Sequence, residues 1–531
     1  MAVHLDKIIL SLLSIVYINN AYAQYDFYLQ NDIYNSSDWH NLLHYEKGKS
    51  VIDKDSAFFL SPDGYKNPKA EYIATIKEFL NTDNLNDKHA ICRYPARFNY
   101  ILQTLNLSAD KFPKPTCYDY TEYKNKVPFE KIFIVFASEN NISPSTMLGH
   151  SFLKIEGQNK AHSFSYFAAF DTTDSLNFYT KVLTSGIDGM YILSPYSVKQ
   201  NEYLNKEKRS LWEFELKLDN KEKEKLKAHL WELKDKNIKY KFVSHNCNTA
   251  LINILKTANI EFSSDNIKPF ITPVEYIQEL QVKNKISNIS IEPSVAQKNA
   301  IQKFGLNYVG NAPKPMRLSF SQDLSNNISN INFSPVYQDI RDISDAYFPD
   351  LESKMLDLSF NYNNTKKKFI IDKINILKMQ SVIDYQTTNS FSKYFRFGFE
   401  NNLFSNKNSI KPIIELGLGI GKKISSTSFY ILPKIGYHYD NFSNFYINPQ
   451  VGFISRINDK TKLLFSYEKY FNSKDNNIGF EEKFNLYLGY KIQKNSEIYI
   501  DYSHFYNAKN SEAITTGVTF HFKKTSRRLP Q

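Results

Sequence analysis

From about residue 313 to residue 522 the chain alternates apolar and polar side chains with a period of two. Nothing else in it restricts the fold as strongly. Phe395, Phe397 and Phe399 alternate with Tyr394, Arg396, Gly398 and Glu400, and Ile414, Leu416, Leu418 and Ile420 alternate with Glu415, Gly417 and Gly419. The last such run sets Ile514, Thr516, Val518, Phe520 and Phe522 on one face. About twelve segments of roughly ten residues, separated by Asn/Ser/Lys/Asp-rich turns, match the length and alternation of an outer-membrane β-barrel. A β-sandwich or barrel outside a membrane would alternate similarly. The strand length and the signs of export described next favour the membrane form. A basic tail, Lys523–Gln531, follows Phe522, whereas such barrels usually finish on an aromatic residue.

The start of the chain supports export. Lys7 precedes the apolar run Ile8–Ile18, and Ala21 and Ala23 obey the small-x-small cleavage rule, so residues 1–23 are expected to be a signal peptide. Eleven apolar residues are too few to span a bilayer core. Of the three cysteines, Cys92 and Cys117 are expected to form a disulfide in an oxidising compartment, which leaves Cys247 as the odd thiol. The net charge of +11 comes from lysines scattered among 55 acidic residues, with no basic stripe, so no nucleic-acid partner is expected.

Between these ends two further regions are expected. Residues 24–125 read as a mostly helical module, with helical spacing over Ser36–Tyr45 and Pro68–Leu80 and a compact corner at Cys92–Arg97. Residues 126–285 read as a mixed α+β domain, and 286–312 as a linker to the barrel at 313–522. In the middle domain Lys131–Ala137, His150–Ile155 and His162–Ala168 look like strands, and Trp212, Phe214, Leu216 and Leu218 alternate as a half-buried strand. Lys221–Lys236 looks like a charged amphipathic helix. Leu251, Ile254, Leu255 and Ala258 make one helical face, placing Cys247 near a helix start.

That placement suggests chemistry, because a helix N-terminus favours a thiolate and a neighbouring imidazole can act as its base. His150, entering a strand after a polar loop, is the expected base. His162 leads as the residue that orients it, with Ser163 or Ser165 in that role if the strand register differs. Asn246 and the N–H of Cys247 are candidate oxyanion donors. His245 stands two residues before the thiol and is expected to point away. The His and Cys spacing offers no zinc site, and no cofactor is expected.

The order His, polar residue, Cys resembles that of circularly permuted papain-like (NlpC/P60-related) enzymes. More closely, the chain resembles the Lnb-type periplasmic domain family of alternative lipoprotein N-acyltransferases. The resemblance rests on Ser138, Leu148-Gly149-His150-Ser151-Phe152-Leu153, Tyr196 with Tyr203, Glu207–Leu216, Trp231-Glu232-Leu233 and Tyr240 with Asn246-Cys247-Asn248. At the front it extends through Trp39–Tyr45, Phe58–Pro62 and Cys92–Arg97. In that family Ser and an aromatic commonly follow the cysteine, where this chain has Asn248 and Thr249. The resemblance implies acyl transfer through a thioester on Cys247, with lipoprotein or phospholipid acyl chains as partners and the outer membrane as location. A cell-wall peptidase and a non-catalytic outer-membrane protein with a papain-like binding module are the alternatives.

Overall fold

The computed structural model describes residues 32–139, 149–168, 181, 184–242, 244–262, 271–305, 308–344, 350–401, 410–439, 443–472, 482–506 and 511–522. The expected signal peptide and basic tail lie outside these residues.

The N-terminal module is built from helices α1 (Ser37–Leu42), α2 (Pro68–Phe79), α3 (Ala90–Arg93), α4 (Pro95–Thr104) and α5 (Tyr118–Lys126), with a small ribbon of β1 (Tyr45–Glu46) and β2 (Lys49–Ser50). Asn67 caps α2 by accepting from the Ala70 N–H, and Pro68 occupies the first helical position, where a missing N–H costs nothing. The Cys92–Arg97 corner is the junction of α3 and α4, and it docks the module on the next domain. Arg97 is fully buried there, pairing with Glu71 at 2.6 Å and Glu232 at 3.4 Å and lying over the Phe58 and Tyr94 rings. Charges so buried persist only when paired, and here the partners come from two domains. Cys92 and Cys117 are joined by a disulfide.

The central domain holds one antiparallel sheet of strands β3 (Lys131–Ala137), β4 (His150–Gly157), β5 (Lys160–Ala168), β6 (Ile187–Pro195), β7 (Leu211–Leu216), β8 (Asn237–Tyr240) and β9 (Ile286–Glu292), in the order β8-β6-β5-β4-β3-β7-β9. Helices α6 (Tyr196–Gln200), α7 (Asn220–Leu233), α8 (Cys247–Lys256), α9 (Pro273–Val282) and α10 (Val295–Phe304) pack around it, and a π-helical turn, Asn201–Lys206, continues α6 and carries Tyr203. One face of β3 (Ile132, Ile134, Phe136) joins the main core, and the other (Phe133, Val135, Ala137) packs with Phe152, Tyr196 and Tyr203. Two findings depart from the sequence-based expectation. β7 is not half-buried: Glu213, on its polar face, is covered and bonded to Lys154 (2.9 Å) and the Tyr196 hydroxyl (2.5 Å). Residues 286–292 are not linker but edge strand β9 on β7, disguised by a mostly exposed, Asn- and Ser-rich sequence.

Beyond α10 the sheet closes on itself. Strands β10 (Met316–Asp323), β11 (Ile328–Ser334), β13 (Leu351–Asn363), β14 (Lys368–Ser381), β15 (Ser392–Asn401) and β16 (Ile410–Ile424) form one half. Strands β17 (Thr427–Tyr439), β18 (Ser443–Asn458), β19 (Thr461–Lys469), β21 (Glu482–Gln493), β22 (Ser496–Tyr506) and β23 (Ser511–Phe522) form the other. β12 (Val336–Gln338) and β20 (Phe471–Asn472) only flank β13 and β18, so the 14-stranded sheet contains a ring of 12, closed by β10–β23 and β11–β13. The alternation faces outward as expected of a membrane barrel: Leu418, Ile420 and Ile431 are exposed, while Glu415 and Lys434 are buried in the lumen. The lumen is filled by polar networks. Glu415 accepts from Tyr394 (3.1 Å) and Tyr446 (2.8 Å), and Glu468 from Lys434, Asn448, Gln450 and Tyr470 at 3.0–3.2 Å.

The start of β10 and the end of β23 pair at one rim, Met316 against Phe522. That rim also carries the short turns after β16, β18 and β21. The central domain docks here. The short helix α11 (Tyr385–Thr388), between β14 and β15, meets α10, and Lys208 donates to the Asn389 carbonyl at 3.4 Å. Short turns mark the periplasmic side of such barrels, so the sheet domain sits at the periplasmic mouth. Among the described residues no helix is long and apolar enough to cross a membrane.

Candidate functional site

Cys247 is the first residue of α8. Asn246 caps the helix: its Oδ1 accepts from the Asn248 and Thr249 N–H groups, both at 3.0 Å, while Thr249 Oγ1 accepts from the Asn246 N–H at 2.8 Å. The Asn-x-x-Thr spacing gives this reciprocal box and holds the thiol at the positive end of the helix. Asn246 Nδ2 donates to the Phe242 carbonyl at 2.8 Å. Its side chain is thus engaged in holding the turn, with both Oδ1 and Nδ2 in hydrogen bonds.

The thiol packs against β4. Burial pushes its pKa up from the usual thiol value, opposed by the Ser151 N–H and hydroxyl, by the Asn248 N–H and by the more distant Arg209 charge. Ser151 also donates to Asn248 Oδ1 at 3.3 Å. The Tyr240 phenol lies against the Cys247 backbone. Ser151, Tyr240 and Arg209 lie in stretches that carry the family resemblance, but no sequence pattern gives them a role of their own at the site. Ser151 stands next to His150, and Tyr240 lies on the strand that leads into the Cys247 turn.

His150 begins β4 one residue before Ser151, so its ring turns to the opposite face of the sheet. It lies 6.0 Å from the Phe152 ring and 6.1 Å from the Tyr203 ring. Gly149, before it, has φ +78°, and a side chain there would run into Phe136, so the Gly-His step is a steric requirement. Burial first, then Arg209 and Lys199, lower the imidazole to about pKa 3, so His150 is neutral at pH 7. Among the described residues no hydrogen bond links it to Cys247. What the two share is the Arg209–Tyr203 pair: the Arg209 charge acts on both, and Tyr203 touches the His150 ring and feels the thiol. Arg209 is fixed by donating to the Ser138 and Ala137 carbonyls at 2.6 and 2.8 Å.

The structure does not bring His162 to His150. Leu153 pairs with Phe164 and Ile155 with His162. The two histidines therefore stand five residues apart along antiparallel strands, roughly 16 Å at the strand rise. Strand parity puts Ser163 and Ser165 on the His150 face. Ser163 bonds Ser194 at 2.9 Å, while the buried Ser165 hydroxyl, closer to His150, has no described hydrogen-bond partner. His245 is buried edge-on to Tyr166 at 5.1 Å, with neither ring nitrogen bonded among the described residues, and burial lowers it to about 4.

One set of possible metal ligands stands elsewhere. Asp342, Glu497 and His521 converge within 4.8 Å at the barrel mouth, but the Arg317 guanidinium lies 3.6 Å from Asp342 and already supplies a cation. Nearby, a cavity of about 510 Å³ separates Trp212 and Phe304 from Asp339, Lys423 and Lys462 of the barrel.

Fold and exterior together define an exported outer-membrane protein: a 12-stranded barrel bearing a periplasmic domain. Residues 119–281 match the model of the Lnb N-terminal periplasmic domain. Residues 31–104 and 309–521 match two domains of unknown function, DUF7843 and DUF7840. No curated protein matches the chain. Similar solved structures include the NanC porin (10% identity, 39% of this chain and 100% of the porin, TM-score 0.26). The outer membrane protein Omp33 of Acinetobacter baumannii is another (10% identity, 40% and 100%, TM-score 0.23), as is the KdgM porin (10% identity, 39% and 99%, TM-score 0.25).

Proposed function

We propose that the domain is a cysteine-dependent acyltransferase or hydrolase acting on lipid or lipoprotein acyl esters. The observation that carries this reading is Cys247 itself: a buried thiol at a capped helix start, hydrogen-bonded by Ser151 and tied through Arg209 and Tyr203 to a neutral His150. The barrel supports a lipid substrate, because it fixes this thiol beside a bilayer. In the first half-reaction the sulfur attacks the ester carbonyl; a C–S bond forms and the C–O bond breaks. We assign the proton transfer to His150: its ring now lies across β4 beside Tyr203, and once substrate brings it within hydrogen-bond reach of the sulfur it takes the thiol proton and returns it to the leaving alcohol. The proposed oxyanion donors are the Cys247 N–H and the Tyr240 hydroxyl, which bond each other in the resting site and would part to receive the oxyanion; Asn246 holds the turn that positions them. In the second half an amine of the acceptor attacks the thioester, loses a proton and restores the thiol; water in its place releases a fatty acid.

The test is mass spectrometry of the full-length protein in phospholipid bilayers. A hydroxylamine-sensitive acyl mass is expected on Cys247, and Cys247→Ala should lose it along with at least about a thousandfold in turnover. Unchanged turnover in Cys247→Ala refutes the reading, and cleavage of peptidoglycan stem peptides without an acyl adduct favours a cell-wall peptidase. A maleimide that never labels the folded protein favours a binding module. His150→Gln should cost on the order of 10²–10⁴ in rate. With the thiol pKa raised and His150 at about 3, alkylation of Cys247 should accelerate as pH rises past neutrality and show no His150-linked fall between pH 7 and 5.

A further inference from the structure

We propose that the Lys241–His245 turn and the outer wall of β13–β15 form a lateral portal, through which a phospholipid acyl chain of the surrounding leaflet reaches Cys247. The inference rests on the acyl-ester reading for its purpose, though not for its geometry. Phe242 packs on a patch of Met355 and Met379, joined by Leu377 and Phe395. Alternation assigns these four to the membrane side of the barrel, because Lys354, Lys378 and Arg396 between them turn into the lumen, where Lys378 and Lys354 pair with Glu352. Elsewhere on the barrel outward apolar side chains are bare, as at Leu418 and Ile431, which are 54% exposed. Here Met355 and Met379 are only 7% and 4% exposed, with Phe242 of the central domain packed on them and β12 paired beside Met355.

The covered patch runs into open lipid-facing wall. Leu356 and Phe397, next to it, are 38% and 40% exposed. On the rim beside it Tyr385 and Phe391 are exposed with their rings 5.1 Å apart, the residue types and position of an interfacial aromatic belt. Ester carbonyls of phospholipids lie at that depth, and the acyl chains begin just above it.

The turn is rigidly coupled to the thiol. Lys241 and His245 exchange backbone hydrogen bonds at 3.0 Å, and Asn246, the cap of the Cys247 helix, holds the Phe242 carbonyl. A chain following the wall to Phe242 is thereby brought to the turn that opens α8. The apolar lining of Phe242, Met355 and Met379 suits an apolar substrate and disfavours a peptidoglycan stem.

The experiment uses the full-length protein with Phe242→Trp in phosphatidylethanolamine/phosphatidylglycerol vesicles, with or without bromine at carbons 6 and 7 of the acyl chains. The emission added over the three native tryptophans should fall at least twofold in brominated bilayers. Phe429→Trp on the bare wall serves as the quenched reference, and Phe58→Trp in the module core as the unquenched one. Should Phe242→Trp fail to fold, the exposed Ser244→Trp is read in the same way. Unquenched emission at the position read, with Phe429→Trp quenched, overturns the portal. Quenching needs no chemistry, so the two proposals fail separately. A protein quenched at position 242 that never forms a thioester refutes the acyl-ester function alone, and one that forms the thioester without quenching refutes the portal alone.

Discussion

The barrel and the domain at its mouth are both antiparallel sheets, but they bury opposite residues. On β16, Leu416, Leu418 and Ile420 face outward and are about half exposed, while Glu415 just before them is 4% exposed. On β3, neighbouring Ile134 and Val135 both lie at 0%, one in each of two cores. The barrel has lipid outside and a polar network inside, whereas β3 has protein on both faces. The same strand geometry thus carries two sequence signatures, strict alternation and a short apolar run, and the medium around each strand decides which.

The comparison can be broken by substitutions that should act on one region alone. Phe136→Ala, which empties a fully buried site on β3, should cost the central domain about 3–5 kcal/mol and sharply increase its proteolysis. Barrel heat-modifiability on gels should be unchanged; loss of both together would mean the two regions fold as one unit. Leu418→Arg should cost about 2–4 kcal/mol when the barrel is folded into bilayers, and much less in short-chain detergent, where the side chain can reach water. An equal cost in both media would remove the lipid-facing assignment.

The smallest expected effect concerns the seam between the N-terminal module and the central domain. His44 and His229 are buried there, joined through their Nε2 atoms at 2.8 Å. Burial, then His229, His245, Lys256 and Arg97, hold His44 well below its usual value; burial, Arg97 and Lys225 hold His229 at about 3. Both folded-state values are depressed, so the unfolded chain binds protons more readily. The stability these groups confer is full above the unfolded value near 6.5 and is lost as pH falls below it. Acidification from pH 6.5 to 5 should cost roughly 1–2 kcal/mol per histidine in periplasmic-domain unfolding. His229→Gln should flatten that slope, and a slope unchanged by it would show that these rings titrate alike folded and unfolded.

Much of the site was legible in the chain. Gly149-His150 marks a strand entry because a polar loop ends there and apolar residues follow, and the apolar face from Leu251 to Ala258 puts Cys247 at a helix start. Asn246, an oxyanion candidate by its place beside the thiol, is instead the helix cap, because Thr249 three residues on completes an Asn-x-x-Thr box. His162 stands on another level from His150 because register is a property of the pair β4–β5, and neither strand states it alone. β9 escapes the periodicity because an exposed edge strand carries too few apolar residues to show a period.

The sequence by itself determined most of the strands, the barrel alternation and the helix that starts at Cys247, since each follows from local periodicity, and it made a Cys92–Cys117 disulfide the expected pairing. Tertiary structure alone decided that Ser151 rather than an imidazole bonds the thiol, that Arg209 and Tyr203 stand between Cys247 and His150, and that Phe242 rests on the outside of the barrel. Those contacts join residues from about forty to more than a hundred positions apart, and their geometry is set by sheet register and domain docking, which no local pattern encodes.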